Sequence, residues 1–161
     1  MKKLLVFLFL FGFQIHFGQN YTTQYYFIRH AEKADSTKNP DLSKKGLERA
    51  QEWKAIFSEI NFDAVYSTDF KRTLQTINPI VLENGKILKI YNPKIVDIET
   101  FKKETIGKII LIVGHSNTIP KMVNQIIKEN KYSDIAENQF GNLYIVTLIE
   151  NQILSQLLHL K

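Results

Sequence analysis

The stretch KIILIVGH, residues 108–115, joins an unbroken run of aliphatic residues to a glycine and a histidine. Most of the aliphatic residues are β-branched, which predicts a strand that is buried on both faces, as at the centre of a parallel sheet. A helix is predicted to follow over residues 118–128, with Pro120 in its first turn. The strand would therefore carry His115 to its carboxyl end, where a sheet of this kind places its ligands.

On both sides of this strand the chain alternates between strand and helix patterns. Further strands are predicted at residues 23–29, 63–67, 87–91, 142–149 and 152–159. One helix is predicted after the N-cap candidate Ser43, and another over residues 70–82, which Pro79 is expected to kink or restart. The alternation predicts a single α/β domain, a three-layer α/β/α sandwich around a mostly parallel central sheet.

Residues 1–18 have the three-part pattern of a secretory signal peptide. Lys2 and Lys3 precede an apolar run over residues 4–13, and a more polar stretch leads to Gly18. The run is shorter than the roughly 20 residues that span a bilayer, so cleavage near Gly18 and a mature domain over residues 19–161 are predicted. We therefore expect a periplasmic or secreted protein without a stable membrane anchor.

Composition narrows the class of partner. Removal of Lys2 and Lys3 lowers the formal net charge from +5 to +3. This mildly basic balance suits an anionic substrate, whereas the lack of a long block of like charge argues against a nucleic-acid partner. The chain has no cysteine, which excludes a thiolate nucleophile and a cysteine-ligated metal site. The sequence leaves the oligomeric state open.

Three predicted strands end on polar residues at the same edge of the sheet. His30 ends the first strand, Ser67 ends the second and His115 ends the central one. The chain has 18 lysines but only three arginines, and Arg29 and Arg72 lie at strand ends or just beyond them. Because a guanidinium matches a phosphate or carboxylate with paired hydrogen bonds, this placement indicates an oxyanion pocket.

Four segments carry these residues, in this order along the chain. They are IRHAEK at 28–33, DLSKKGLERAQ at 41–51, YSTDFKRTLQT at 66–76 and VGHSNT at 113–118. Together they resemble the histidine phosphatase superfamily, which has the phosphoglycerate mutase-like fold. The resemblance implies a phosphatase that acts on a small phosphorylated substrate and needs no cofactor or metal.

The resemblance also assigns roles within the pocket. It implies that His30 is the nucleophile, which is transiently phosphorylated, and that Arg29 and Arg72 bind the phosphate. It further implies that His115 is the second histidine of the pocket, which is expected to act in its protonated form. A neutral imidazole nitrogen can attack phosphorus and so divide one difficult displacement into two easier steps. Fixed donors would then stabilise the charge on the equatorial oxygens.

Several other polar residues have two interpretations. Ser67, Ser116 and Asn117 would either line the pocket or cap turns and helices, and Asn117 is the best pocket candidate. Arg49 and His159 are interpreted as structural, because Arg49 is predicted on a solvated helix face and His159 at a frayed chain end.

The sequence gives less information about the general acid, the residue that would protonate the leaving group, than about the other site residues. Glu32 and Lys33 complete the sequence Arg-His-Ala-Glu-Lys at residues 29–33, which resembles a subgroup of the family with this motif. The segment between Arg72 and His115 is too short for a large cap domain, which favours hydrolysis in an open site over mutase chemistry. Its acids are Glu83, Asp97, Glu99 and Glu104. Of these, Glu99 in NPKIVDIETF is the predicted donor, with Asp97 and Glu104 as its rivals.

Two alternative functions remain open from the sequence. A noncatalytic module on the same fold would bind phosphate without turnover. GHSNT also partly matches the G-x-S-x-G nucleophile elbow, with Ser116 as the nucleophile of a serine hydrolase. Thr118 occupies the second glycine position of that motif, and only His159 lies downstream as a base, so a phosphatase is the favoured interpretation.

Overall fold

The computed structural model describes residues 21–85 and 87–160. The predicted signal peptide, residues 1–18, lies outside the described residues. The described chain alternates between strands and helices, in the order β1 (Thr22–Arg29), α1 (Lys44–Ile56), β2 (Ala64–Ser67), α2 (Lys71–Asn84), β3 (Leu88–Ile90), α3 (Ile98–Glu104), β4 (Ile109–Gly114), α4 (Thr118–Ile127), β5 (Asn142–Ile149) and β6 (Gln152–His159).

The central strand is β4, as the sequence predicts. The sheet has the strand order β3-β2-β4-β1-β5-β6, in which β3, β2, β4 and β1 run parallel. β5 and β6 complete it as an antiparallel hairpin beside β1. The side chains of residues 110–113 in β4 are fully buried, because strands flank β4 on both edges and helices cover both faces.

Successive residues of β4 face opposite helical layers, as the two-residue period of a strand requires. On one face, Leu111 and Val113 pack with Trp53 of α1, with Phe57 directly after that helix, and with Ile77 and Ile80 of α2. On the other face, Ile110 and Ile112 pack with α3 and α4, whose core residues include Phe101, Ile119, Met122, Val123 and Ile126. The predicted three-layer α/β/α sandwich is confirmed. No helix in the described ranges is long and apolar enough to span a membrane.

The start of α1 is clamped to the segment that follows β1. Ser43 is the N-cap, as predicted, and its side chain accepts a hydrogen bond from the Gly46 N–H at 3.1 Å. A Cβ at Gly46 would overlap the carbonyl oxygen of Glu32, so this close approach requires glycine. Arg49 donates to both carboxylate oxygens of Glu32, with its Nε 2.9 Å from Oε2 and 3.0 Å from Oε1. Contacts of both the backbone and the side chain of Glu32 therefore fix the position of the chain after His30.

Two structural interpretations of the sequence are wrong. Arg49 does not lie on a solvated helix face, because its side chain is only 12% exposed and is bound to Glu32. His159 does not lie at a frayed end, because it pairs with Asn142 across the hairpin and its Nδ1 lies 2.9 Å from the Asn142 Oδ1.

Two helices bear on the predictions. Of the two effects predicted for Pro79, a restart does not occur, because α2 continues through Pro79 to Asn84. α3 lies in a segment for which the sequence predicts neither a helix nor a strand, and Asp97 caps it by accepting a hydrogen bond from the Thr100 N–H at 2.7 Å. A helix of this length is only marginally stable by itself, and the packing of Phe101 into the core stabilises it.

Candidate active site

A polar pocket of about 390 Å³ lies at the carboxyl ends of β1 and β4. The His30 N–H donates to the Gly114 carbonyl at 3.0 Å, which holds the ends of these two strands together. All of the residues assigned to the site except Glu99 line this pocket, namely Arg29, His30, Arg72, His115 and Asn117. Four further residues complete the lining, namely Lys33, Ser116, Asp134 and Glu137.

Hydrogen bonding fixes which nitrogen of His30 can act as a nucleophile. Nδ1 lies 2.7 Å from the Ala31 carbonyl oxygen, which only accepts, so Nδ1 carries the hydrogen. Nε2 therefore keeps its lone pair. Burial, followed by the positive charges of Arg29 and Arg72, lowers the pKa of His30 to about 3 although the bond to Ala31 opposes this. The imidazole is neutral at physiological pH, as nucleophilic attack requires.

His115 lies beside His30, with 5.5 Å between the ring centroids. Arg72 Nη2 lies 3.4 Å from its Nδ1, and because a guanidinium only donates, Nε2 is the protonated nitrogen and faces Thr68 Oγ1 at 3.0 Å. Burial and then the charges of Arg72 and Arg29 lower the pKa of His115 to about 4. The expectation of a protonated His115 is therefore corrected, because a pKa of about 4 leaves the ring neutral at physiological pH.

Arg72 presents a donor that no described residue satisfies. Its Nε is buried and has no hydrogen-bond partner among the described residues. The guanidinium stacks over the Phe70 ring at 4.5 Å, and Nη1 makes only a long contact of 3.4 Å with the Lys38 carbonyl. A buried donor without a partner is costly unless a ligand accepts from it, so this geometry suits a bound anion.

Arg29 has a second task that the sequence did not reveal. Its side chain is only 1% exposed, and its Nη1 donates to three backbone carbonyls of the connection between α4 and β5, those of Ala136, Glu137 and Gln139, at 2.8–3.2 Å. The guanidinium also lies 4.4 Å from the Phe140 ring centroid. Its buried Nε, like that of Arg72, has no partner among the described residues. Arg29 therefore anchors a loop and still offers one donor.

Two carboxylates reach the pocket, and neither was predicted. Glu137 Oε2 lies 3.2 Å from Arg29 Nη2, although the Glu137 side chain is 79% exposed. Asp134 lines the pocket next to Asn117, because the Ile135 N–H donates to the Ser116 carbonyl at 2.9 Å and draws the loop over the start of α4. Both acids follow His115 in the chain, whereas the donor predicted from the sequence lies in the segment before it.

Glu99 does not reach the pocket, which corrects the predicted proton donor. It lies in the first turn of α3, and its carboxylate is 3.6 Å from the ammonium groups of both Lys102 and Lys128. Together with Thr23 it lines a cavity near the amino-terminal end of β1. Asp97 caps α3, and neither Asp97 nor Glu104 lines the pocket.

Of the remaining polar candidates, some line the pocket and others have a structural role. Asn117 is the N-cap of α4, but its side chain makes no capping hydrogen bond and is left to the pocket. Ser67 is buried and donates to the Thr68 carbonyl at 2.9 Å. Ser116 lines the pocket, whereas His159 is bound to Asn142 and lines a different cavity, so these two do not form a serine–histidine pair. No group of three metal-ligating side chains occurs among the described residues.

The comparisons with known proteins agree with this geometry. Residues 25–99 match the profile of the histidine phosphatase superfamily, branch 1, and this stretch includes Arg29, His30 and Arg72. No curated protein matches the chain in sequence.

Three solved structures illustrate the likeness in fold. The alpha-ribazole phosphatase of Shigella flexneri is 13% identical, with 85% of this chain and 96% of that chain covered and a TM-score of 0.69. The protein histidine phosphatase SixA, in complex with tungstate, is also 13% identical, with 84% and 96% covered and a TM-score of 0.66. The phosphoglycerate mutase of Bacillus anthracis is 12% identical, with 86% and 93% covered and a TM-score of 0.65. The chain has the phosphoglycerate mutase-like fold.

Proposed function

We propose that the protein is a metal-independent histidine phosphatase that hydrolyses phosphate monoesters through a phosphohistidine on His30. The observation that carries the proposal is the pairing of a neutral imidazole, whose Nε2 keeps its lone pair, with two arginines whose buried Nε atoms lack partners. The match of residues 25–99 to the histidine phosphatase superfamily supports the same activity.

The proposed reaction has two steps. Nε2 of His30 attacks the phosphorus, the bond to the ester oxygen breaks, and the departing oxygen takes a proton. A water molecule then attacks the phosphorus of the phosphohistidine, the N–P bond breaks, and the electron pair returns to Nε2 as inorganic phosphate is released. Arg29 and Arg72 stabilise the charge on the equatorial oxygens in both steps.

His115 would change its protonation state with the occupancy of the pocket. A bound phosphate dianion favours the charged form of a neighbouring imidazole and opposes the effect of burial. His115 would therefore be neutral before the substrate binds and become a charged donor when the substrate is bound.

Asp134 is the proposed proton donor to the leaving oxygen, and Glu137 is its rival. Asp134 makes no hydrogen bond or ion pair within the described part of the chain, whereas the Glu137 carboxylate is held by Arg29. The same carboxylate would take a proton from the attacking water in the second step.

We propose hydrolysis rather than mutase chemistry, and we also propose that the enzyme is exported. Among the described residues, the connection between α2 and β4 contains only β3, the short α3 and loops, and these form no large cap that would exclude water from the pocket. Residues 1–18 are proposed to act as a cleaved signal peptide, which would place the enzyme in the periplasm or outside the cell.

Trapping of the phosphoenzyme tests the function. Mature protein is mixed with phosphate-labelled p-nitrophenyl phosphate and quenched rapidly, and we expect label that is stable in base and lost in acid, as for a phosphoramidate. The label should disappear in His30→Ala and persist in His159→Ala, the matched control outside the pocket. Activity should withstand a metal chelator and be inhibited by vanadate.

Two results would oppose the proposal. Label that survives in His30→Ala would assign the nucleophile elsewhere. A protein that binds phosphate but turns over no member of a broad panel of phosphomonoesters would be the noncatalytic module instead.

A further inference from the structure

A groove of about 820 Å³ opens beside the phosphate pocket. Asn117 and Asp134 line both, so the two spaces meet at these residues. The groove has the volume of sites that hold small organic ligands. The groove therefore lies where the organic part of a phosphate ester would extend.

One wall of the groove is the outer face of α4. Asn117, Lys121, Gln125 and Lys128 all line it, and their spacing of three to four residues places them in one row along the helix. At about 1.5 Å per residue, Lys121 lies about 6 Å from Asn117 along the helix axis. Lys94 lines the groove from the segment between β3 and α3, across from α4.

Two of these lysines are available to a ligand. The ammonium groups of Lys94 and Lys121 make no hydrogen bond or ion pair within the described ranges, whereas Lys128 is 3.6 Å from the Glu99 carboxylate. The acids of the groove lie at its ends, with Asp134 at the pocket and Glu129 directly after Lys128. The stretch one helical turn away from the pocket therefore has unneutralised positive charge.

One of the amides that line the groove, that of Asn124, is already occupied. Asn124 Nδ2 donates to the Asn130 Oδ1 at 3.1 Å and to the Tyr132 carbonyl at 2.7 Å. Its Oδ1 accepts from the backbone N–H groups of Lys131 and Tyr132. This side chain holds the loop after α4 and has no capacity left to recognise a sugar hydroxyl.

We propose that the groove binds the leaving group of the substrate, and that this leaving group carries a second acidic function about one helical turn from the ester oxygen. Lys94 and Lys121 bind that carboxylate or phosphate, while Asp134 faces the ester oxygen at the junction. The inference rests on the proposed phosphatase activity and defines its substrate class as phosphomonoesters of acidic organic molecules.

Two aryl phosphates with matched shapes test the groove. The charged probe is para-carboxyphenyl phosphate, and the neutral probe is its methyl ester, para-methoxycarbonylphenyl phosphate. Exposed ion pairs are individually weak, so we expect kcat/KM to favour the charged probe by about three- to tenfold at low salt. Lys94→Gln/Lys121→Gln should bring this ratio close to one. Lys44→Gln/Lys103→Gln, which removes the same charge outside the groove, should retain the preference.

Binding of the corresponding phosphonates separates this inference from the activity on which it rests. These analogues cannot be hydrolysed, and calorimetry on the wild-type chain should show the same preference for the charged compound, lost in the Lys94/Lys121 double variant. Equal affinity for both phosphonates, or a preference that survives the double variant, would overturn the inference. Absence of turnover for both esters would overturn the phosphatase activity, while the phosphonate comparison would still decide the occupant of the groove.

Discussion

His30 is kept neutral by the surroundings that expose its Nε2 to the pocket. Burial and the neighbouring arginines lower its pKa to about 3, and the Ala31 carbonyl fixes the tautomer. The pKa of His115 is lowered to about 4 by burial and the same arginines. The pocket therefore holds no imidazolium at physiological pH, and Arg29 and Arg72 supply positive charge beside the two rings.

These depressed values predict that the free energy of unfolding falls in mild acid. An unfolded histidine has a pKa of about 6.5, so between pH 6.5 and the folded values the unfolded state binds more protons and stability falls as the pH falls. Between pH 6.5 and 5 we expect a loss of about 2 kcal/mol from His30, and less from the partly buried His115. Urea unfolding at several pH values measures this, and His30→Asn/His115→Asn should flatten the profile. An equally steep profile in that variant would assign the dependence to other groups.

The assignment of Asp134 predicts a dependence on the leaving group. An alkoxide needs a proton as it departs, whereas p-nitrophenolate hardly does, and a positioned acid contributes about 10²–10⁴-fold. Asp134→Asn should therefore slow glycerol phosphate at least tenfold more than p-nitrophenyl phosphate. Glu137→Gln tests the rival, and Glu48→Gln on α1 is the exposed control. Equal small effects of both pocket variants on both substrates would mean that the pocket has no dedicated acid.

The sequence identified the pocket residues that follow strands and missed those that come from the loop. Arg29, His30 and His115 lie at strand ends, which strand patterns locate directly. Asp134 and Glu137 lie in a connection without periodicity, and they reach the pocket through contacts distant in sequence, such as those of Arg29 with this loop. No sequence pattern within residues 128–141 predicts such contacts.

At the scale of elements, the connection between α4 and β5 depends on a single guanidinium. Arg29 supplies hydrogen bonds to three of its carbonyls and stacks on Phe140. Lysine would provide one flexible ammonium in place of this planar fork. Among the described residues, Arg72 contacts a single backbone carbonyl, that of Lys38, at 3.4 Å.

This difference predicts that the same substitution, arginine to lysine, lowers stability at one of the two positions and mainly lowers activity at the other. Arg29→Lys should lower the free energy of unfolding by about 2 kcal/mol and increase amide exchange over residues 136–140, as well as reducing activity. Arg72→Lys should leave stability within about 0.5 kcal/mol of wild type while kcat/KM falls about 10²–10³-fold. Chemical denaturation, hydrogen exchange and steady-state kinetics measure the three effects. Similar losses of stability in both variants would contradict the anchoring role of Arg29.

The elements that the sequence misjudged depend on tertiary contacts. α3 is short and carries a Lys-rich end, and it is stabilised by the Asp97 cap and by Phe101 in the core. Arg49 appeared to lie on a solvated face because its helix neighbours are charged, and only the approach of Glu32 past Gly46 explains its burial. Helical periodicity describes one helix at a time and cannot supply such partners.

For the whole molecule, the alternation of strands and helices was sufficient to predict the layers but not the order of the strands. The run over residues 108–115 identified the central strand, and both hairpin strands agree with their predicted limits. Their antiparallel placement beside β1 follows from pairing between β1 and β5, which the chain pattern does not encode.

Export is a prediction about the whole chain, and N-terminal sequencing checks it. Protein recovered from the periplasm or medium of the producing cell should begin near Gln19, because the apolar run of residues 4–13 would direct secretion and be removed. A variant with charged residues inserted into that run should accumulate in the cytoplasm with its leader intact. A wild-type product that stays cytoplasmic and retains Met1 would exclude export.

The double role of Arg29 has an evolutionary consequence. A descendant of this protein that abandoned catalysis would be free to lose His30 or Arg72, since neither supports a loop through several hydrogen bonds. Loss of Arg29 would instead leave three loop carbonyls without their donor, so selection for folding alone would preserve it. Retention of this arginine in a related chain would thus be poor proof of activity, and the presence of the histidine and of the second arginine would be the discriminating signature of a working enzyme.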